Sequence, residues 1–178
     1  IVYLPIIIVL YYADTCEKTI LYPMLTPEEL NIIYDWGMTT ELPYRSAPTA
    51  VGYSNKEIDM CWLKATKEDL ALIRKPIMDP EVIEILEKPE IIFATGALFY
   101  EGTVLGPHKD PNCYNGVRYS RIHIPLVVDP EKCYMVWHGE RVYWESGVFS
   151  QWDVQDHVHE AYNESDEPME FIFLDIRK

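Results

Sequence analysis

The stretch Arg121–Tyr162, RIHIPLVVDPEKCYMVWHGERVYWESGVFSQWDVQDHVHEAY, decides the fold. Short runs of β-branched and aromatic residues alternate in it with turn signals at Asp129-Pro130-Glu131, His138-Gly139 and Ser146-Gly147. That pattern predicts strands at 121–128, 133–137, 141–144, 148–152 and 157–162, with His138-Gly139 as a two-residue hairpin turn. Similar runs lie outside the stretch at Ile91–Tyr100 and Met169–Ile176, and the acidic segment Glu164–Glu167 reads as a solvated loop ended by Pro168. Short strands at this density, preceded by helices, predict a jelly-roll or cupin-like barrel with a helical layer packed on one sheet.

The helix signals lie upstream. Thr26-Pro27-Glu28-Glu29 offers a cap, a proline at the first helical position and a capping-box acid, with Leu30, Ile33 and Tyr34 following at helical spacing and Gly37 as the expected stop. Thr66 and Asp69 start a second short helix through Leu70 and Ile73, and Asp79-Pro80-Glu81 opens a third through Val82, Ile83, Ile85 and Leu86, ended by Pro89. The expected organisation is one domain over residues 1–178, mainly β with N-terminal helices: a helical and irregular support layer to residue 90, then the barrel core from 91 to 178.

A chain of 178 residues with 48% apolar content is long enough for one sizeable core, and no low-complexity stretch divides it. With 15 basic and 29 acidic residues the formal net charge is −14, which repels a phosphate backbone and argues against nucleic acid as a partner. Cys16, Cys61, Cys113 and Cys133 form no C-x-x-C pair and fit reduced thiols in a cytoplasmic protein better than a disulfide framework, a Cys113–Cys133 pair being the weaker alternative. The apolar start, Ile1–Tyr12, contains Pro5, lacks a basic leader and falls short of about 20 spanning residues, so a buried strand is expected there and no membrane span. The chain does not begin with Met, as expected of a fragment or a processed form.

Chemistry concentrates at His108-Lys109-Asp110. On a strand, residues i and i+2 share a face, so His108 and Asp110 can reach one metal while Lys109 points away. A third ligand has to come from another element, and the segment His157-Val158-His159 offers two imidazoles that spacing alone does not separate. Two histidines and one carboxylate are the ligands of the facial triad that holds non-haem Fe(II) with open positions. By itself H-x-D is a weak pattern, because a lone histidine on a β-segment is more often a hydrogen-bonded core or surface residue. His138 falls in a turn and Asp153 and Asp156 read as solvent-facing acids.

The order of blocks from Gly96 to Ile176 resembles the aspartyl/asparaginyl β-hydroxylase family. The resemblance runs through Glu101-Gly102-Thr103 to Pro107-His108, then Arg121-Ile122-His123, Trp144-Glu145-Ser146-Gly147, Trp152-Asp153, His159-Glu160-Ala161-Tyr162-Asn163 and Phe171-Ile172-Phe173-Leu174-Asp175-Ile176. It implies a double-stranded β-helix and an Fe(II)- and 2-oxoglutarate-dependent dioxygenase. It also implies His108, Asp110 and His159, rather than His157, as the metal ligands, and Arg121 and His123 as residues that contact the co-substrate.

Three departures from the family stand out. Some members carry Gly where this chain has Asp110, so the triad here is the fuller one. The family's last-strand Arg, which anchors the distal carboxylate of 2-oxoglutarate, corresponds to a position near Met169, beside Glu170, and a helping Ser corresponds to Ala97. Substitute anchors are Arg118, Arg121, Tyr100, Tyr119 or Trp137. The stretch Cys113–Tyr119 is longer than its family counterpart and reshapes the mouth of the site. Lys109, Arg118 and Arg121 are candidates for a basic patch around the site, and Tyr44, Arg45 and Trp62 for a substrate channel. The implied reaction is hydroxylation of a C–H bond in an Asp or Asn side chain of a peptide, or in a small molecule. The alternatives are a cupin-type metal enzyme without 2-oxoglutarate and a non-catalytic barrel that only binds.

Overall fold

A computed structural model describes residues 25–47, 53–64, 78–111 and 116–178. The expected strand at Ile1–Tyr12, the helix from Thr66, and Cys16 and Cys113 lie outside these residues. Two helices, α1 (Pro27–Thr39) and α2 (Pro80–Leu86), cover one sheet. The ten strands are β1 (Arg45–Ala47), β2 (Ile58–Lys64), β3 (Ile91–Phe99), β4 (Val104–His108), β5 (Tyr119–Val127), β6 (Cys133–Trp137), β7 (Glu140–Tyr143), β8 (Ser150–Trp152), β9 (His159–Asn163) and β10 (Met169–Arg177). They form a six-stranded sheet in the order β1-β2-β3-β10-β5-β8 facing a four-stranded sheet β4-β9-β6-β7. This is the mainly β, double-stranded β-helix architecture with N-terminal helices.

Alternation along β5 and β10 sorts the interior into two cores. Ile122, Ile124 and Leu126 of β5 and Ile172, Leu174 and Ile176 of β10 join Leu30, Ile33 and Trp36 of α1 and Val82, Ile85 and Leu86 of α2 in the core outside the barrel. The residues between them, Tyr119 on β5 and Phe171 and Phe173 on β10, turn into the barrel with Phe99, Met135 and Trp152. The same parity sends Arg121 and His123 inward, although neither is apolar.

Local signals act largely as read. Thr26 and Glu29 form a reciprocal capping box, with Glu29 N–H donating to Thr26 Oγ1 at 3.2 Å and Thr26 N–H to Glu29 Oε2 at 2.9 Å. His138 (φ 52°) and Gly139 (φ 83°) join β6 to β7 directly, both in the left-handed region that the tight hairpin turn requires. Gly37 departs from expectation: α1 continues through it to Thr39. A Cβ there would lie 2.8 Å from Ile172 Cδ1 and 2.9 Å from Leu126 Cδ2, so glycine serves close approach of helix to sheet. The sheet also starts before residue 91, because β1 and β2 belong to the stretch read as helical and irregular support. Cys61 and Cys133 are buried free thiols. No helix among the described residues is long and apolar enough to cross a membrane.

Candidate metal centre

His108 and His159, far apart in sequence, are direct partners in the β4–β9 register. Their rings lie 4.3 Å apart between centroids. His108 closes β4; Asp110 sits two residues beyond, where its N–H donates to the Val154 carbonyl at 3.0 Å. One ligand atom from each of His108, Asp110 and His159 lies within 4.8 Å of the others. Asp110 Oδ1 is 3.5 Å from His108 Nε2 and 3.7 Å from His159 Nε2, too long for hydrogen bonds and suited to a shared cation.

Both imidazoles are oriented by backbone. His108 Nδ1 is 2.7 Å from the Gly106 carbonyl and His159 Nδ1 is 3.2 Å from the His157 carbonyl. Each Nδ1 must therefore carry the proton, which leaves the Nε2 lone pair facing Asp110. Tyr53 lies flat on His108 at 4.4 Å with an interplanar angle of 6°, fixing the ring from outside the two strands. Burial pushes the His159 pKa below its ordinary value, which favours the neutral, ligand-competent ring. Burial pushes the Asp110 carboxyl up, but the Arg121 charge, followed by the imidazoles, outweighs it and holds the acid well below the usual range.

Arg121 divides its guanidinium between two carboxylates. Nε donates to Asp175 Oδ1 at 2.7 Å and Nη2 to Asp175 Oδ2 at 2.9 Å, while Nη1 donates to Asp110 Oδ2. Asp110 thus turns one oxygen to the imidazoles and the other to Arg121. Desolvation disfavours the Arg121 charge, and Asp110 and Asp175 more than offset it. Asp175 is fully buried opposite Arg121 on the neighbouring strand. His123, one turn of the pleat further in, is kept neutral by burial and by Arg121, and its buried Nδ1 has no partner.

His108, Asp110, Arg121, His123 and His159 wall a cavity of about 110 Å³ inside the barrel, completed mostly by apolar side chains from both sheets. Of the other residues singled out in the sequence, His157 differs most. It precedes β9 rather than sharing its face with His159, and its ring packs 5.3 Å from Trp137 and 4.7 Å from His138. Tyr100 donates to Asp59 at 2.8 Å, Tyr119 Oη donates to the Pro111 carbonyl at 3.3 Å, and Trp137 Nε1 is buried without a partner; none of the three lines the cavity. Lys109 and Arg118 converge on Asp156 at the surface, so of the proposed basic patch Arg121 alone reaches the cavity. Tyr44, Arg45 and Trp62 do not line it either, whereas Tyr53, Met60 and Trp144 do. Tyr53 and Asp175 are the contributors the sequence did not mark. An acid at position 175 inside an apolar run, on the inward parity of β10, was the available signal for the second.

Fold comparisons agree with this architecture. Similar solved structures include a predicted oxalate decarboxylase from Thermotoga maritima, with 14% identity and a TM-score of 0.50 over 78% of this chain and 95% of that chain. Another is a viral collagen prolyl hydroxylase from Paramecium bursaria Chlorella virus-1 in complex with 2OG, with 10% identity and a TM-score of 0.50 over 86% of this chain and 91% of that chain. At such identities the likeness shows the barrel fold alone. No curated protein matches the sequence. The sequence profile for aspartyl/asparaginyl beta-hydroxylase matches residues 53–178, a span that holds β2 to β10, Tyr53 and the whole His108–Asp110–His159 cluster, and the chain therefore belongs to the aspartyl/asparaginyl β-hydroxylase family.

Proposed function

We propose that the protein is an Fe(II)-dependent dioxygenase that hydroxylates a C–H bond at the expense of O2 and a 2-oxo acid, 2-oxoglutarate being the co-substrate the family resemblance implies. The observation that carries this reading is the convergence of His108 Nε2, His159 Nε2 and an Asp110 oxygen at the wall of a buried cavity. Two imidazoles and one carboxylate match the donor set that suits Fe(II), and the backbone bonds to both Nδ1 atoms turn the Nε2 atoms to the shared position. When bound, such a metal supplies a Lewis-acidic centre with open positions for co-substrate and O2.

The protein's own residues then have distinct tasks. Arg121 holds Asp110 in place and keeps it ionised, and Asp175 holds Arg121. His123, neutral and beside Arg121 on the inward face of β5, is the group that would contact the co-substrate. The apolar wall limits water around the reacting atoms. For the substrate we favour an Asp or Asn side chain of a peptide or protein, with a small molecule as the alternative. The two buried free thiols suit a reducing, cytoplasmic setting.

A cupin-type metal enzyme that uses no 2-oxo acid is the second reading. It is favoured by Met169, an apolar residue where the resemblance expects the arginine that anchors 2-oxoglutarate. Anaerobic loading with Fe(II), followed by O2 and 1-14C-labelled 2-oxo acids, separates the two. Labelled CO2 released by the wild type and lost in His108→Ala supports the dioxygenase. Bound iron without CO2 release from any 2-oxo acid tested supports the cupin reading.

A further inference from the structure

The strand register orders the cavity by depth. Asp175 pairs with Arg121, Phe173 with His123, Phe171 with Ala97, and Met169 with Phe99. Each two-residue step along a strand covers about 6.7 Å. A short 2-oxo acid is slightly shorter than one such step, so with its oxo-acid end at the level of Arg121 its distal end falls at the level of Phe173, with Phe171 one step beyond.

That region is aromatic. Phe171 and Phe173 stack at 5.3 Å, Phe99 stands edge-on to both at 6.0 and 6.2 Å, and Trp144 packs edge-on to Phe171 at 4.8 Å. Met169, on the same inward face of β10, belongs to this cluster. Among the described residues no cation faces it: every nitrogen of Arg121 donates to Asp110 or Asp175, and Lys109 and Arg118 are turned to Asp156. His123 and Trp144 offer neutral hydrogen bonds there and no charge. A second carboxylate would be desolvated without a counter-ion, which proteins avoid, whereas an apolar tail gains from the same walls. The whole cavity, metal corner included, measures about 110 Å³, below the roughly 150 Å³ of an apolar cavity that accepts benzene, so the part at its aromatic end has room for a short aliphatic tail only.

We propose that the co-substrate pocket selects a 2-oxo monocarboxylate with a short branched apolar side chain over 2-oxoglutarate. This rests on the dioxygenase reading above and narrows its co-substrate. The overall reaction balances as for any 2-oxo acid: the C1–C2 bond breaks, C1 leaves as CO2, one atom of O2 enters the new carboxylate and the other enters the substrate C–H bond. The oxo acid and the substrate each give up two electrons, which together reduce O2.

The test is equilibrium binding without turnover. The Fe(II)-loaded protein is titrated anaerobically with 4-methyl-2-oxopentanoate, phenylpyruvate and 2-oxoglutarate while the metal-to-ligand charge-transfer band is followed. The branched acid is expected to bind at least about tenfold more tightly than 2-oxoglutarate, with phenylpyruvate between them. Phe171→Arg, which puts a cation at a position that lines the cavity one step beyond the distal end, should reverse the order; should that variant fail to fold, the wild-type ranking decides alone. Equal or tighter binding of 2-oxoglutarate by the wild type overturns the inference and leaves the dioxygenase standing. Bound iron with no band for any of the three acids overturns both.

Discussion

Asp175→Asn is the substitution that asks most of the arrangement around Arg121. Asp175 is fully buried and accepts two hydrogen bonds from Arg121, at 2.7 and 2.9 Å. Asparagine keeps one acceptor, but its amide N–H group faces a guanidinium N–H, and the charge that balances Arg121 is gone. Removing one partner of a buried ion pair typically costs about 3–5 kcal/mol. The lower end applies here, because the Arg121 side chain keeps 20% exposure and Asp110 remains as a partner. In a domain of this size each kcal/mol is roughly 2–4 °C, so Tm should fall by about 6–12 °C. Arg121 also orients Asp110, and loss of such an outer partner commonly weakens metal binding about 10–100-fold. Differential scanning fluorimetry and a competitive Zn(II) titration read the two effects on one preparation. A variant with Tm within about 2 °C of wild type and unchanged metal affinity would refute the reasoning that Asp175 holds Arg121 and, through it, Asp110.

Two further outcomes follow from particular contacts. Gly37→Ala brings a Cβ to 2.8 Å from Ile172 Cδ1 and 2.9 Å from Leu126 Cδ2; crowding of about 1–3 kcal/mol outweighs the gain of about 1 kcal/mol in helix propensity, and a net stabilisation in urea unfolding would contradict the close approach of α1 to the sheet. His123 has a depressed pKa in the folded state, chiefly from burial and then from Arg121. Above pH about 6.5 the group is neutral folded or unfolded and contributes no pH dependence; below it the unfolded chain takes up a proton that the folded protein refuses. Stability of the metal-free protein is thus lost as pH falls, by at most about 1.4 kcal/mol per unit from this residue. Between pH 7 and 5, His123→Gln should lose stability less steeply than wild type, and parallel slopes would show that His123 titrates normally.

Much of the barrel was legible because period-2 patterns and turn residues are local. The run from Arg121 to Val127 carries its own instruction, placing Ile122, Ile124 and Leu126 under the helices and Arg121 and His123 inside. β4 was hidden by Gly106 and Pro107, which break the strand pattern; proline is tolerated there because β4 is an edge strand of its sheet. β1 is three residues long and has no pattern to read. Gly37 reads as a helix stop because a glycine's local meaning and its packing meaning look the same in sequence. The residues proposed to bind metal were within reach once the block around His159 selected it over His157. Tyr53 was not, since its stacking on His108 depends on a tertiary contact across elements. Asp175 was visible as an odd acid in Phe171–Ile176, yet only its pairing with Arg121 across β5 and β10 gives it a task.

The central claim is that His108, Asp110 and His159 together hold one divalent metal. Its most direct test is metal stoichiometry and affinity, by anaerobic Fe(II) titration with elemental analysis, in wild type, His108→Ala, His159→Ala and His157→Ala. One equivalent is expected in wild type and in His157→Ala, with binding lost in the two triad variants while their far-UV circular dichroism stays native. Native-folded His159→Ala that retains one tightly bound equivalent, or His157→Ala that loses it, would contradict the assignment.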